Sequence, residues 1–194
     1  MTVDFSKLVL LLEYEHQIFV KQASNPNSFR WKSLFGAFAD DLRKYVLPFG
    51  LGMTNSWGIR RWAYFPWVRL YFQEMSSSNQ DGIFIDYLFG WNDHEVMLTL
   101  IQGVDGKTPS SELVRIKKSI QTKVDCGSFT KSMFSSSPVI NGTSAKHTRA
   151  ESYARGMIFH KKYAHSSLPD FSQLEADLKE IINIYTEVKR LKIK

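Results

Sequence analysis

The chain has 194 residues, with 25 Lys and Arg against 19 Asp and Glu, giving a formal charge of +6 and a pI near 9.3. Its 43% hydrophobic and 23% charged residues, with a mean hydropathy of -0.25, exclude global disorder and suffice to bury the core of one domain. Cys126 is the only cysteine, which excludes an internal disulfide and a cysteine-based zinc site and fits a reducing, cytoplasmic setting. The basic balance biases the surface toward polyanions.

Leu8 to Leu12 is apolar but too short to span a bilayer, and Asp4, Glu13 and Glu15 flank it. It belongs instead to a predicted amphipathic helix whose stripe is Phe5, Leu8, Leu12, Tyr14, Ile18 and Phe19. The turn-rich segment Ser24 to Ser28 separates it from a second predicted helix. Trp31, Leu34, Phe35, Phe38, Leu42 and Tyr45 mark that helix's apolar face. Pro48, Gly50 and Gly52 end the helical periodicity.

Trp57 to Phe72 interleaves tryptophan, tyrosine and phenylalanine with Arg60, Arg61 and Arg69 around Gly58 and Pro66. Guanidinium groups suit phosphates and base edges, and exposed indole faces stack on unpaired bases for roughly 1–3 kcal/mol each. Rings of this kind serve equally well as core. Within the run, 66–73 alternates Trp67, Arg69 and Tyr71 against Val68, Leu70 and Phe72, as a strand with two unlike faces requires. Residues 82–89 and 95–102 are also predicted strands. Short polar connections make the three an antiparallel meander.

Thr108 is the predicted N-cap of the next helix, with Pro109 at its first position. Its apolar side carries Leu113, Ile116, Ile120 and Val124, while Arg115, Lys117, Lys118 and Lys123 read as a solvated basic face. The Ser-rich stretch 127–150 reads as a long loop containing Lys131, Lys146, His147 and Arg149. A further strand is predicted over 153–163. The final helix, 170–192, carries Leu174, Leu178, Ile181, Ile182, Tyr185 and Val188 on one side, with Asp170 and Gln173 as a capping box. The order of elements predicts a single α+β domain over 1–194, a central mostly antiparallel sheet with flanking helices.

Enzyme-like patterns do not hold up. Gly106-Lys107-Thr108 lacks the first glycine of a phosphate-binding loop, since Ile101 stands there. Pro169-Asp170 and Glu187-Val188-Lys189 spell a nuclease signature but fall at opposite ends of one helix, about 25 Å apart. Asp93-His94-Glu95 reads as a polar turn between strands. No catalytic residue, metal ligand or cofactor is assigned. A metal-dependent nuclease and a protein-interaction adaptor stand as the alternative classes.

Phe65-Pro66-Trp67, Asp81 to Phe89, Glu95 to Leu100, Ser152-Tyr153-Ala154, His160 to Tyr163, Asp170-Phe171 and Ile181 to Tyr185 follow in an order and spacing that cover about two thirds of the chain. In this ordered set the chain resembles the N-terminal DNA-binding domain of McrB-type specificity subunits, which belong to modification-dependent restriction systems. The resemblance implies a non-enzymatic domain that binds duplex DNA, flips out a modified cytosine such as 5-methylcytosine and holds it in a pocket. By position, Trp67, Phe84 and Leu88 would form that pocket, with Phe84 in place of a tyrosine. Ile59 would be the wedge that fills the vacated stack, where an aromatic is expected, with Arg60 or Arg61 as the alternative. Arg60, Arg61, Lys146 and Arg149 would hold the DNA backbone, and Asp86 is either a polar reader of the base or an exposed strand residue. The implied partners are a fused GTP-hydrolysing motor and a separate nuclease subunit, in a phage-defence setting and away from membranes.

Overall fold

Val68, Leu70 and Phe72 occupy every second position of their strand, so their side chains share one face, and the same period operates along the neighbouring strands. In the computed structural model, which describes residues 2–21, 27–57, 65–76, 81–89, 94–104, 108–132 and 152–193, these strands form the middle of a six-stranded antiparallel sheet. Its strands are β1 (Gly52–Ser56), β2 (Trp67–Tyr71), β3 (Ile83–Phe89), β4 (Glu95–Gln102), β5 (Thr130–Lys131) and β6 (Met157–Ala164). They lie in the order β1-β2-β3-β4-β6-β5. The helices are α1 (Ser6–Lys21), α2 (Asn27–Val46), α3 (Ser110–Lys123), a short α4 over 152–156 and α5 (Phe171–Arg190). The result is a single α+β domain with an open sheet.

The first face of the sheet is the hydrophobic one. Val68, Leu70, Ile85, Tyr87, Phe89, Val96, Leu98 and Leu100 are all buried there in the principal core with Trp31, Phe35 and Phe38 of α2, Leu8 and Leu12 of α1, and Phe5 just before α1. Side chains of this size each contribute roughly 1.5–3 kcal/mol when removed from water. Edge-on ring contacts fix how α2 meets β3: Phe38 lies 5.6 Å from Tyr87, and Phe35 lies 5.5 Å from Phe89. Leu11, outside the predicted stripe, is also fully buried, and its carbonyl accepts a hydrogen bond from Trp31 Nε1 at 3.2 Å.

α5 closes the same face and is anchored by polar groups at two points. Tyr185 donates its hydroxyl to the Ile83 carbonyl and accepts from the Phe72 amide, tying the helix to β3 and to the end of β2. Near the other end, the fully buried Asp177 accepts from Tyr163 Oη and Lys161 Nζ at 2.8 Å each and from Gln173 Nε2 at 2.7 Å. Asp170 caps the helix by accepting from the Gln173 amide at 2.8 Å. The Gln173 side chain turns to Asp177, so only half of the predicted capping box forms.

Five further expectations are corrected. β1 has no strong apolar alternation, since all five of its residues are half-buried, and was not foreseen; pairing with β2 makes it a strand. Pro109, rather than Thr108, caps α3, with no side-chain cap bond. Residues 153–156 are helical and the strand begins at Met157. The predicted loop is ordered over 127–132: Ser128 binds Glu180 through its amide at 2.9 Å, and Thr130–Lys131 pairs with β6. Lys117 is not on a solvated face; it is fully buried with Leu113, Ile116 and Ile120.

Candidate nucleic-acid interface

The second face of the sheet carries the side chains that alternate with the core set. The register sets Trp67 opposite Leu88 and Arg69 opposite Asp86, and Asp86 opposite Thr99 of β4. Directly opposed residues bring their Cβ atoms to about 5 Å. Phe84 stands two residues before Asp86 on the same side of β3. Trp67, Phe84 and Leu88 therefore do share a face, with the Arg69–Asp86 row between Phe84 and the other two.

Their exposures differ sharply. Trp67 is half-buried, whereas Phe84 is 2% exposed and Leu88 is fully enclosed. Leu88 belongs to a small second core with Phe65, Met97 and Met157, against which Trp67, Tyr153 and Ala154 pack. Tyr153 of α4 meets Phe65 edge-on at 5.4 Å, so α4 covers this end of the second face.

Arg69 and Asp86 form an ion pair inside the protein, with exposures of 4% and 0%. Nε donates to Oδ1 at 2.8 Å and Nη2 to Oδ2 at 2.7 Å, the two-pronged geometry that a guanidinium offers a carboxylate. The guanidinium carbon lies 3.4 Å from the centre of the Phe84 ring and 4.8 Å from that of Trp67. Burial pushes the Asp86 carboxyl above the ordinary Asp range, against the opposing pull of the Arg69 charge and its hydrogen bonds. Asp86 is thus no exposed strand residue. The sequence had placed Arg69 with the basic set and left Asp86 undecided; opposite charges at matching second-face positions of neighbouring predicted strands were the available signal for the pair.

Two other polar features lie apart from this face's aromatic end. His160 of β6 shares a hydrogen bond of 2.7 Å with Ser132 Oγ, and burial together with the charges of Lys162 and Lys117 lowers its pKa. A cavity of about 260 Å³, lined by Met75, Ser76, Gly82, Ile83, Gln102 and Leu113 among others, sits at the ends of β2 and β4 and the start of β3, where neither Trp67 nor Leu88 reaches it. Ile59, Arg60, Arg61, Lys146 and Arg149 lie outside the described residues.

Among the described residues, no group of three or more His, Cys, Asp or Glu side chains could hold a metal ion. The nuclease-like letters have structural roles: Asp170 caps α5, and Glu187 pairs with Arg190 one turn later. His94, within the predicted polar turn, donates Nδ1–H to the Leu12 carbonyl at 2.6 Å.

A family model described as MrcB-like, N-terminal domain matches residues 27–190, most of the chain. The chain belongs to this family. No curated protein and no solved structure gives a significant match. For an MrcB-like N-terminal domain, membership supports a DNA-binding specificity role within a restriction system, in association with other subunits of that system. Among the described residues of this MrcB-like domain, no helix is long and apolar enough to cross a membrane.

Proposed function

We propose that this MrcB-like domain reads a modified base, of the 5-methylcytosine class, in duplex DNA by everting it and stacking it on Trp67. The observation that carries the reading is Trp67, half-buried on the sheet's second face, set against the small apolar core around Leu88 and flanked by the Arg69 guanidinium. A stacking partner must be rigid and accessible, and of the three residues that the resemblance assigns to the pocket Trp67 is the one that keeps open surface, backed by the core around Leu88, whereas Phe84 is enclosed against Arg69.

Energetics divide the remaining tasks. One base–aromatic stack contributes about 1–3 kcal/mol, comparable with the few kcal/mol lost when a base leaves the duplex. Net affinity therefore has to come from phosphate contacts, the role given to Arg60, Arg61, Lys146 and Arg149, with Ile59 filling the vacated position in the stack. No chemistry on the base is needed. Cleavage would belong to a GTP-hydrolysing motor fused to the domain and to a separate nuclease subunit, acting in the cytoplasm against incoming modified DNA.

The test is titration of matched duplexes carrying one cytosine, 5-methylcytosine, 5-hydroxymethylcytosine or N6-methyladenine, with a fluorescent base analogue at the target position to report eversion. Preference for a modified cytosine with a change in analogue emission supports the proposal. Equal affinity for all four duplexes with unchanged emission refutes it.

A further inference from the structure

The ring of Phe84 has a tenant. At 3.4 Å the Arg69 guanidinium carbon is in van der Waals contact with the ring centre, and no further planar group fits between them. Asp86 holds Arg69 there through two hydrogen bonds, and Phe84, Arg69 and Asp86 are each 4% exposed or less. A base and the guanidinium would compete for the same face.

We infer that Arg69, fixed by Asp86, is a specificity-determining residue: its guanidinium, 3.4 Å from the Phe84 ring and 4.8 Å from the Trp67 ring, closes the Phe84 face to an everted base and confines stacking to the side of Trp67 turned away from it. The inference rests on the base-reading function proposed above. It sets the shape of the site: Trp67 contributes the contact surface, while Phe84 backs the guanidinium and meets no base. A buried ion pair is seldom a net source of stability, because the loss of hydration offsets the attraction, so its retention beside the candidate pocket is better explained by the geometry it imposes. Replacing both partners by apolar residues removes the charge without leaving half of the pair buried, and the size of the replacement decides whether the ring face opens.

The experiment compares the affinity ratio for modified over unmodified duplex, together with base-analogue emission, in four proteins. These are the wild type, Arg69→Met/Asp86→Leu, Arg69→Ala/Asp86→Val and the single variant Phe84→Leu. The Met/Leu protein keeps the face covered and is expected to retain the wild-type ratio within about twofold, whereas the Ala/Val protein uncovers it and is expected to raise the ratio at least about tenfold, the gain from a second stacking surface. Phe84→Leu in the otherwise wild-type chain is expected to leave the ratio within about twofold, a readout that does not depend on either double variant folding. An unchanged or lower ratio in a folded Ala/Val protein, equal gains in both double variants, or a collapse of the ratio in folded Phe84→Leu overturns the inference. A wild-type protein with neither discrimination nor an emission change instead removes the base-reading function on which it stands.

Discussion

Lys117 offers a quantitative check on how the basic helix is built. It lies on the buried side of α3, fully enclosed, and burial pushes its ammonium down from 10.5 to about 8. Below about pH 8 both the folded and unfolded chains hold the proton, and folding carries the charge out of water. Between about 8 and 10.5 the unfolded chain keeps a proton that the folded chain has released, so this group's contribution to stability rises with pH; above 10.5 it is level. At 1.36 kcal/mol per pH unit, the interval is worth about 3 kcal/mol. Lys117→Met is similar in length and does not titrate. In urea unfolding of both proteins at pH 7 and pH 10.5, the stability of the variant relative to the wild type is expected to fall by roughly 1–3 kcal/mol between the two conditions. A difference that stays constant with pH would refute the placement of the ammonium in the core.

Asp177→Ala strips three hydrogen bonds from Tyr163, Lys161 and Gln173 at a fully buried site and is expected to cost on the order of 3 kcal/mol. Asp177→Asn keeps one acceptor oxygen and should lose about half as much, so equal losses in denaturant titrations would contradict the network. Gly82 sits at a φ of +90°, and an added Cβ would lie 2.0 Å from the Met75 carbonyl oxygen, which already accepts from the Ile83 amide at 3.0 Å. Gly82→Ala should therefore lower stability by about 2 kcal/mol or more, and a loss under about 0.5 kcal/mol would show that the turn before β3 yields. Duplex affinity should fall steeply with salt, and Arg60→Ala should reduce the slope of log affinity against log salt by about one. An unaltered slope would remove Arg60 from the phosphate contacts.

Local pattern carried much of the fold into the sequence. The central strands were legible because Val68, Leu70 and Phe72 alternate with polar or aromatic neighbours, and α2 and α5 because their apolar residues recur every three or four positions. β1 was hidden because Gly52 to Ser56 has Met53 as its one large apolar residue, too few for an alternation, and becomes a strand only through pairing with β2. Thr130–Lys131 lay concealed in a Ser-rich stretch for the same reason; its order comes from β6 and from Glu180, distant in sequence. At the site, the shared face of Phe84, Asp86 and Leu88 followed from the period of two. What the period could not give was depth: Lys117 reads from sequence as a solvent-facing charge and Asp86 as either a base reader or an exposed strand residue, whereas tertiary packing encloses both, and the tenancy of Arg69 on Phe84 depends on a side-chain geometry that no spacing encodes.

The most direct measurement is the modified-to-unmodified affinity ratio of Trp67→Ala set beside those of Arg60→Ala and Arg61→Ala. If the indole holds an everted base, Trp67→Ala brings the ratio close to one while affinity for unmodified duplex stays near the wild-type value, and the two arginine variants weaken both duplexes in parallel. A folded Trp67→Ala protein that keeps the wild-type ratio, or loses affinity for both duplexes equally, would contradict the account.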